Sequence, residues 1–206
     1  MTVLSIPRMT LAMAFLAAAI GMAPAAEYRD PKNVFGFSYD EALWQTDIDQ
    51  SGEFGLACRP DACKGAIVGC SVEKERVLFG SVARIMKSFD PERIASEQIQ
   101  AFAEQKAELE RSVASAVTWD RSADFAPQLV EPYTRHMIAG HPVMRAEFRM
   151  SMAGKTGRYV SYLTAAGSHS IAVVCHASES AIDVWRPRFE ALMAGFKPAP
   201  DAAKAR

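Results

Sequence analysis

Three runs of alternating apolar and polar residues constrain the fold of this sequence more than any other feature. They cover residues 141–152, 158–165 and 170–176. In the first run, apolar side chains at Met144, Ala146, Phe148, Met150 and Met152 alternate with Arg145, Glu147, Arg149 and Ser151. A period of two predicts a β-strand with one apolar face and one solvent-facing face. The connections at 153–157 and 166–168 contain glycine and are of hairpin length, so we predict a three-stranded antiparallel meander.

Two amphipathic helices are predicted on either side of this meander in the chain. The first covers residues 91–116, with Asp90 as N-cap and Pro91 at the first helical position. At 1.5 Å per residue it is about 39 Å long, enough to cross a sheet. The second helix follows residue 180 and ends near Gly195. Its apolar residues have spacings of three and four and are Ile182, Trp185, Phe189, Leu192 and Phe196.

The N-terminal half of the mature chain is predicted to contribute further strands. Residues 35–39 alternate, and two extended runs at 52–59 and 65–77 are separated by a Pro-Asp turn. Together the elements predict an α+β fold, with an antiparallel β-sheet flanked by helices as an α-β-α sandwich and stapled by disulfides. We assign residues 26–197 to a single domain and residues 198–206 to a flexible tail.

The first 25 residues have the pattern of a secretory signal peptide. Arg8 supplies a positive charge, and an apolar run of about 15 residues follows, which is short of the roughly 20 that a membrane span needs. Small residues around Pro24 predict cleavage after Ala25, or one residue later. The alternative is an anchor helix that is retained. Cleavage predicts a periplasmic or secreted protein without a membrane span.

Four cysteines accompany this export signal, and they are Cys58, Cys63, Cys70 and Cys175. An even number of cysteines in an oxidising compartment favours two disulfides, for which three connectivities exist. Cys58 and Cys63 flank the predicted turn, so we prefer to pair them with each other. Cys70 and Cys175 then remain, each on an apolar face of a predicted strand. The strand parity raises one difficulty, because Cys63 and Cys70 on one strand would face opposite sides of the sheet.

No residue pattern in the sequence indicates a catalytic or metal site. Gly-x-Ser-x-Gly, HExxH, EF-hand and phosphate-loop motifs are absent from the sequence. We therefore expect no catalytic residue, no cofactor and no resident metal. The alternative is a redox- or metal-linked protein or enzyme that uses Cys58 and Cys63, or His136 and His141. The latter two lie five residues apart around a predicted turn.

Surface charge supplies one candidate interaction site. Lysine and arginine number 23 against 24 acidic residues, so the near-neutral chain gives no reason to expect nucleic acid as partner. Four basic residues cluster on the predicted polar side and turn of one hairpin, and they are Arg145, Arg149, Lys155 and Arg158. We consider this patch a candidate site for an acidic partner. The alternative is that these charges, interleaved with Glu147, only contribute to solubility.

Three short segments resemble periplasmic and lumenal domains of the PsbP-like and DcrB-like type. They are the opening residues 35–39 (FGFSY), the run 140–143 (GHPV) at the start of a long strand, and the closing residues 189–196 (FEALMAGF). The resemblance covers residues 33–197. It implies an antiparallel sheet flanked by helices on both sides and a non-enzymatic accessory or binding role. We therefore expect an exported, non-catalytic binding protein with a protein or small-molecule partner.

Overall fold

The computed structural model describes residues 25–48, 54–77, 81–113, 127–152 and 155–199. The predicted signal peptide therefore lies outside the described residues, apart from Ala25. The strands are β1 (Ala25–Arg29), β2 (Phe35–Asp40), β3 (Trp44–Ile48), β4 (Phe54–Cys58), β5 (Val68–Arg76), β6 (Gln128–Ile138), β7 (His141–Met152), β8 (Lys155–Ala166), β9 (His169–Ser178) and β10 (Phe196–Pro198). The helices are α1 (Pro60–Cys63), α2 (Val82–Ser88), α3 (Pro91–Val113) and α4 (Ile182–Ala194).

The strands form two antiparallel sheets. The large sheet has seven strands in the order β3-β4-β5-β9-β8-β7-β6, and the small sheet has the order β1-β2-β10. The predicted meander is confirmed as β7, β8 and β9, which pair antiparallel in chain order. Pro198 pairs with Phe35, and Ala199 donates a hydrogen bond to the Val34 carbonyl. Strand β10 therefore includes the first residue of the predicted tail, and a backbone hydrogen bond fixes the second.

Helices flank the large sheet on both faces, as the α-β-α prediction requires. On one face, α4 and the small sheet enclose a core that includes Trp44, Tyr162 and Phe189. On the other face, α2 and α3 pack against apolar side chains of β7 and β8, including Phe148 and Leu163. The alternation along β7 assigns its residues to these two cores, since successive side chains point to opposite faces.

One disulfide connects two strands of the large sheet, and the other connects a strand to a helical turn. Cys70 and Cys175 lie directly opposite each other on β5 and β9, and both are buried. We call this bond the sheet disulfide. Cys58 at the end of β4 is bonded to Cys63 at the end of α1, and we call this bond the turn disulfide. Cys63 therefore belongs to a helical turn and not to β5, which removes the parity difficulty of the sequence.

Strand β6 is an element that the sequence analysis did not predict. Only Tyr133 is buried in its eleven residues, and two register shifts interrupt its pairing with β7. Its apolar periodicity is therefore weak. The strand connects to β7 through Ala139 and Gly140, which have φ values of 49° and 81°. Two successive positive φ angles form a tight hairpin turn, and glycine adopts the second without strain.

Candidate functional site

A wide groove opens on the α3 face of the large sheet. It lies between α3 and strands β4, β5 and β9, and its volume is about 1890 Å³. Helix α3 makes its main contacts with β6, and α2 makes its main contacts with β8. Within the described ranges, the strands toward the β3 edge therefore contribute their α3-facing side chains mainly to the groove.

Small residues form the floor of this groove because the strands align them in rows. Ala57 lies opposite Gly69 on the neighbouring strand, and Gly69 lies opposite His176 on the next. A Cβ atom at Gly69 would come within 3.0 Å of the His176 ring. The absence of a side chain at Gly69 therefore makes room for the imidazole over the floor.

Apolar side chains from α3 and the segment before it form one wall. Phe89, Ile94, Ala101 and Phe102 all line the groove. Phe102 is buried and its ring lies 5.2 Å from the ring of Tyr159, measured between centroids. This wall is held in place by the core beneath it, so the groove is largely preformed.

His176 and Tyr159 bring two polar groups into the groove. Their ring centroids are 5.8 Å apart, and they lie opposite each other on β9 and β8. Burial lowers the pKa of His176 below its ordinary value of 6.5, so the imidazole is neutral at pH 7. Burial also raises the pKa of the Tyr159 phenol. Within the described part of the chain, neither ring has a hydrogen-bond partner, so both can bond a ligand.

The sequence analysis did not select His176 or Tyr159 as site residues. Both lie in strands whose alternation explains them as ordinary sheet residues. A signal was present in the chain, however, because Gly55, Ala57 and Gly69 place small residues on the same face of two adjacent strands. Small residues on one face of several strands leave space above the sheet.

The four basic residues of the predicted patch do not lie together on an open surface. Arg145 is buried and pairs with Glu131 and Glu147, whereas Arg158 is half-buried and pairs with Glu147. Arg149 donates a hydrogen bond to Glu179. The remaining residue of the patch, Lys155, is exposed. The polar face of β7 is thus covered by α4, although its alternation alone predicted contact with solvent.

Glu147 is the centre of this buried ion-pair cluster. Its side chain is completely buried and accepts hydrogen bonds from Arg145, Arg158 and Arg186. Burial raises the pKa of Glu147, but the hydrogen bonds and charges of Arg186 and Arg158 outweigh it and hold the pKa below its usual value. Arg186 lies on α4, so the cluster joins that helix to β7 and β8.

The predicted alternative residues are placed apart from the groove. His136 is exposed on β6 and shares a hydrogen bond with Thr134, whereas His141 begins β7 and contacts the Phe196 ring edge-on. Among the described residues, no group of three or more His, Cys, Asp or Glu side chains is arranged to hold a metal. Cys58 and Cys63 are bonded to each other.

These features define a class of protein, an α-β-α sandwich with a preformed groove on one face. No protein-family profile matches the sequence, and a comparison with curated proteins found no match. Among the described helices, none has the length and apolar character needed to cross a membrane.

Comparison with solved structures identifies the fold as PsbP-like. The solution structure of PsbP from the cyanobacterium Synechocystis sp. PCC 6803 superimposes with a TM-score of 0.57 at 11% identity. The match covers 87% of this chain and 95% of that one. LpqN of Mycobacterium tuberculosis, a protein involved in cell envelope biogenesis, matches with a TM-score of 0.44 at 9% identity, over 86% of each chain. At this identity the first comparison establishes the fold.

Proposed function

We propose that this chain is an exported, non-catalytic accessory or binding protein of a bacterial-type periplasm, and that it binds its ligand in the groove. The observation that carries the proposal is the groove itself. A preformed concavity with apolar walls and a few convergent polar groups is the usual form of a binding site. The predicted signal peptide and the two disulfides support export to an oxidising compartment.

The arrangement of His176 and Tyr159 supports binding better than catalysis. An imidazole that acts as a general base needs a group to orient it and a nucleophile or substrate within hydrogen-bond reach. His176 instead has an aromatic neighbour and a glycine beneath it. Such a pair recognises a ligand through hydrogen bonds and ring contacts.

Occupation of the groove can be measured with Nile red, an uncharged dye whose fluorescence rises in apolar surroundings. We expect the wild-type protein to increase this fluorescence and Ser71→Trp to abolish most of the increase, because residue 71 is exposed on the floor. Thr46→Trp is the matched control, since it places the same side chain at an exposed position outside the groove lining. Equal dye binding by wild type and Ser71→Trp would reject the groove as the site.

Export and the redox alternative are tested on the protein produced with its full N-terminus. Fractionation of bacterial cells followed by N-terminal sequencing should recover a periplasmic chain that begins at residue 26 or 27. Mass spectrometry without reductant should find all four cysteines oxidised. A cytoplasmic, uncleaved product would contradict export, and a free thiol at Cys58 or Cys63 would favour the redox alternative.

A further inference from the structure

We propose that the turn disulfide undergoes reversible thiol–disulfide exchange with a dithiol-bearing partner protein, and that its oxidation state sets the ligand affinity of the groove. This inference rests on the proposed binding function and adds the regulation of the groove. Three observations carry it: the exposure of one cysteine, the position of the segment that the disulfide fixes, and the local character of that segment's hydrogen bonds.

The two disulfides differ in how well an external thiolate can reach them. Cys70 and Cys175 of the sheet disulfide are both buried in the core that α4 and the small sheet enclose. Cys58 of the turn disulfide is buried as well, but Cys63 is only half-buried at the end of α1. Exchange requires that a thiolate contact one of the two bonded sulfur atoms. In the folded protein, the turn disulfide therefore exchanges before the sheet disulfide does.

The exchange transfers two electrons from the partner to this protein. A thiolate of the partner attacks the Cys63 sulfur, the S–S bond breaks, and Cys58 leaves as a thiolate. The second thiol of the partner then attacks the mixed disulfide and releases Cys63. The partner becomes a disulfide, and its two protons end on the two cysteines. Arg59 and Lys64 outnumber Asp61 in this part of the chain, so the local charge favours the approach of an anionic thiolate.

The segment that the turn disulfide holds forms one end of the groove. Residues 59–67 connect β4 to β5, and we call them the connecting segment. Gly65, Ala66 and Ile67 all line the groove. Ile67 is 57% exposed, and Gly69 of the groove floor follows it by two residues. Ile67 therefore offers an exposed apolar side chain to a ligand at this end of the groove.

The turn disulfide is the main tie between the connecting segment and the sheet. Arg59 donates a backbone hydrogen bond to the Leu43 carbonyl, outside the segment. After it, the described backbone hydrogen bonds are local, with the carbonyls of Arg59, Pro60 and Cys63 as acceptors. Two alanines of the segment also pack against the core, but a methyl group buries little apolar area. Helix α1 has four residues, too few for stability without such a tie.

Reduction therefore loosens one end of the groove without disturbing the sheet. A ligand that binds the reduced protein has to order the connecting segment, and this entropy loss subtracts from its affinity. The oxidised protein has that end already fixed. We expect the reduced form to bind the same ligand about fivefold more weakly.

Differential alkylation tests the exchange. The folded, oxidised protein is incubated with dithiothreitol, and free thiols are trapped with iodoacetamide and located by mass spectrometry. We expect Cys58 and Cys63 to be alkylated at least about tenfold faster than Cys70 and Cys175, because the latter pair becomes accessible only on unfolding. Equal rates at the four cysteines, or no alkylation of the turn pair in the folded protein, would overturn the inference.

Nile red titration of the same samples tests the effect on the groove. The selectively reduced protein should bind the dye about fivefold more weakly than the oxidised protein. Reoxidation should restore the affinity, which makes this comparison independent of any variant. The matched control is Cys58→Ser/Cys63→Ser, shown to be folded by circular dichroism. Its affinity should equal that of the reduced wild type and should not respond to dithiothreitol.

The redox inference and the proposed function fail on different results. Unchanged dye affinity after selective reduction, or a response to dithiothreitol in the serine double variant, would overturn the redox inference alone. The proposed function would survive either result if Ser71→Trp still abolished Nile red binding. Normal dye binding by Ser71→Trp would reject the groove as the site, and the regulation proposed for it would fall as well.

Discussion

Replacement of Glu147 by glutamine is the most informative perturbation of this fold. The side chain is fully buried, and its two carboxylate oxygens accept hydrogen bonds from three arginines. Glutamine preserves the shape but removes the negative charge and turns one acceptor into a donor. The guanidinium groups would then surround a neutral amide, and at least one N–H group would face another donor.

The expected loss in the free energy of unfolding follows from how deeply the three arginines are buried and from the carboxylates that they retain. The exposed fractions of their side chains are 10% for Arg145, 16% for Arg158 and 27% for Arg186. Removal of one partner from a buried ion pair costs about 3 to 5 kcal/mol. Each arginine retains a second carboxylate, so we expect the lower value, a loss of about 3 kcal/mol in the free energy of unfolding.

Urea denaturation followed by tryptophan fluorescence measures this loss, since Trp185 is buried on α4, the helix that carries Arg186. Glu131→Gln is the matched control. It removes a carboxylate from the same Arg145, but its side chain is 48% exposed, so the loss should be at most about 1 kcal/mol. A loss below about 1 kcal/mol for Glu147→Gln would falsify the assignment of the cluster as the joint between α4 and the sheet.

The pH dependence of stability provides a second readout of the same residue. The pKa of Glu147 is lower in the folded protein than its ordinary value of 4.5. The stabilisation is therefore complete above pH 4.5 and is lost as the pH falls through the folded pKa. We expect this acid-dependent loss to be smaller in Glu147→Gln than in the wild type. If the stabilities of the wild type and of Glu147→Gln fall in parallel below pH 4.5, this expectation is wrong.

Three further predictions follow from burial, chain closure and close packing. The His176 ring should titrate below pH 6.5 in an NMR experiment, because burial disfavours its charged form, and a midpoint at or above 6.5 would contradict its burial. Alanine at both cysteines of the sheet disulfide should cost about 4.7 kcal/mol in the chain-entropy model, against about 2 kcal/mol for the turn disulfide. Equal losses in urea denaturation would refute the loop-length argument. Gly195→Ala should lower the melting temperature, because the new Cβ would lie 2.0 Å from the Ser38 carbonyl oxygen, and an unchanged melting temperature would show that this contact relaxes freely.

Much of the secondary structure could be predicted from local pattern. The meander β7-β8-β9 and the helices α3 and α4 have strong periodicities, and the structure confirms them. Residues 114–116 of the first predicted helix lie outside the described residues. Strand β6 could not be found in this way because nearly all of its side chains are exposed and bulges interrupt its pairing. For Gly195 the predicted position is right, but the structure gives a different reason for the glycine. It stands at the end of α4 as predicted, but its φ is −82°, so close approach to Ser38 is what requires glycine there.

The candidate site depended on relations between strands that are distant in the sequence. His176 and Gly69 become neighbours only when β9 pairs with β5, and Tyr159 joins them from β8. Likewise, alternation along β7 separated Glu147 from the apolar residues but could not show that α4 covers the polar face. Helix α4 brings Arg186 to this glutamate from 39 residues away.

The sequence by itself determined the α+β class, the meander and the two long helices, because these depend on periodicity within a few residues. It also predicts an export signal, and it contains an even number of cysteines. The tertiary structure alone decided which polar residues are buried and, among the described residues, which strands face the groove instead of a helix. The physical reason is that burial is a property of packing between elements, so a strand's pattern indicates two different faces without showing what covers each one.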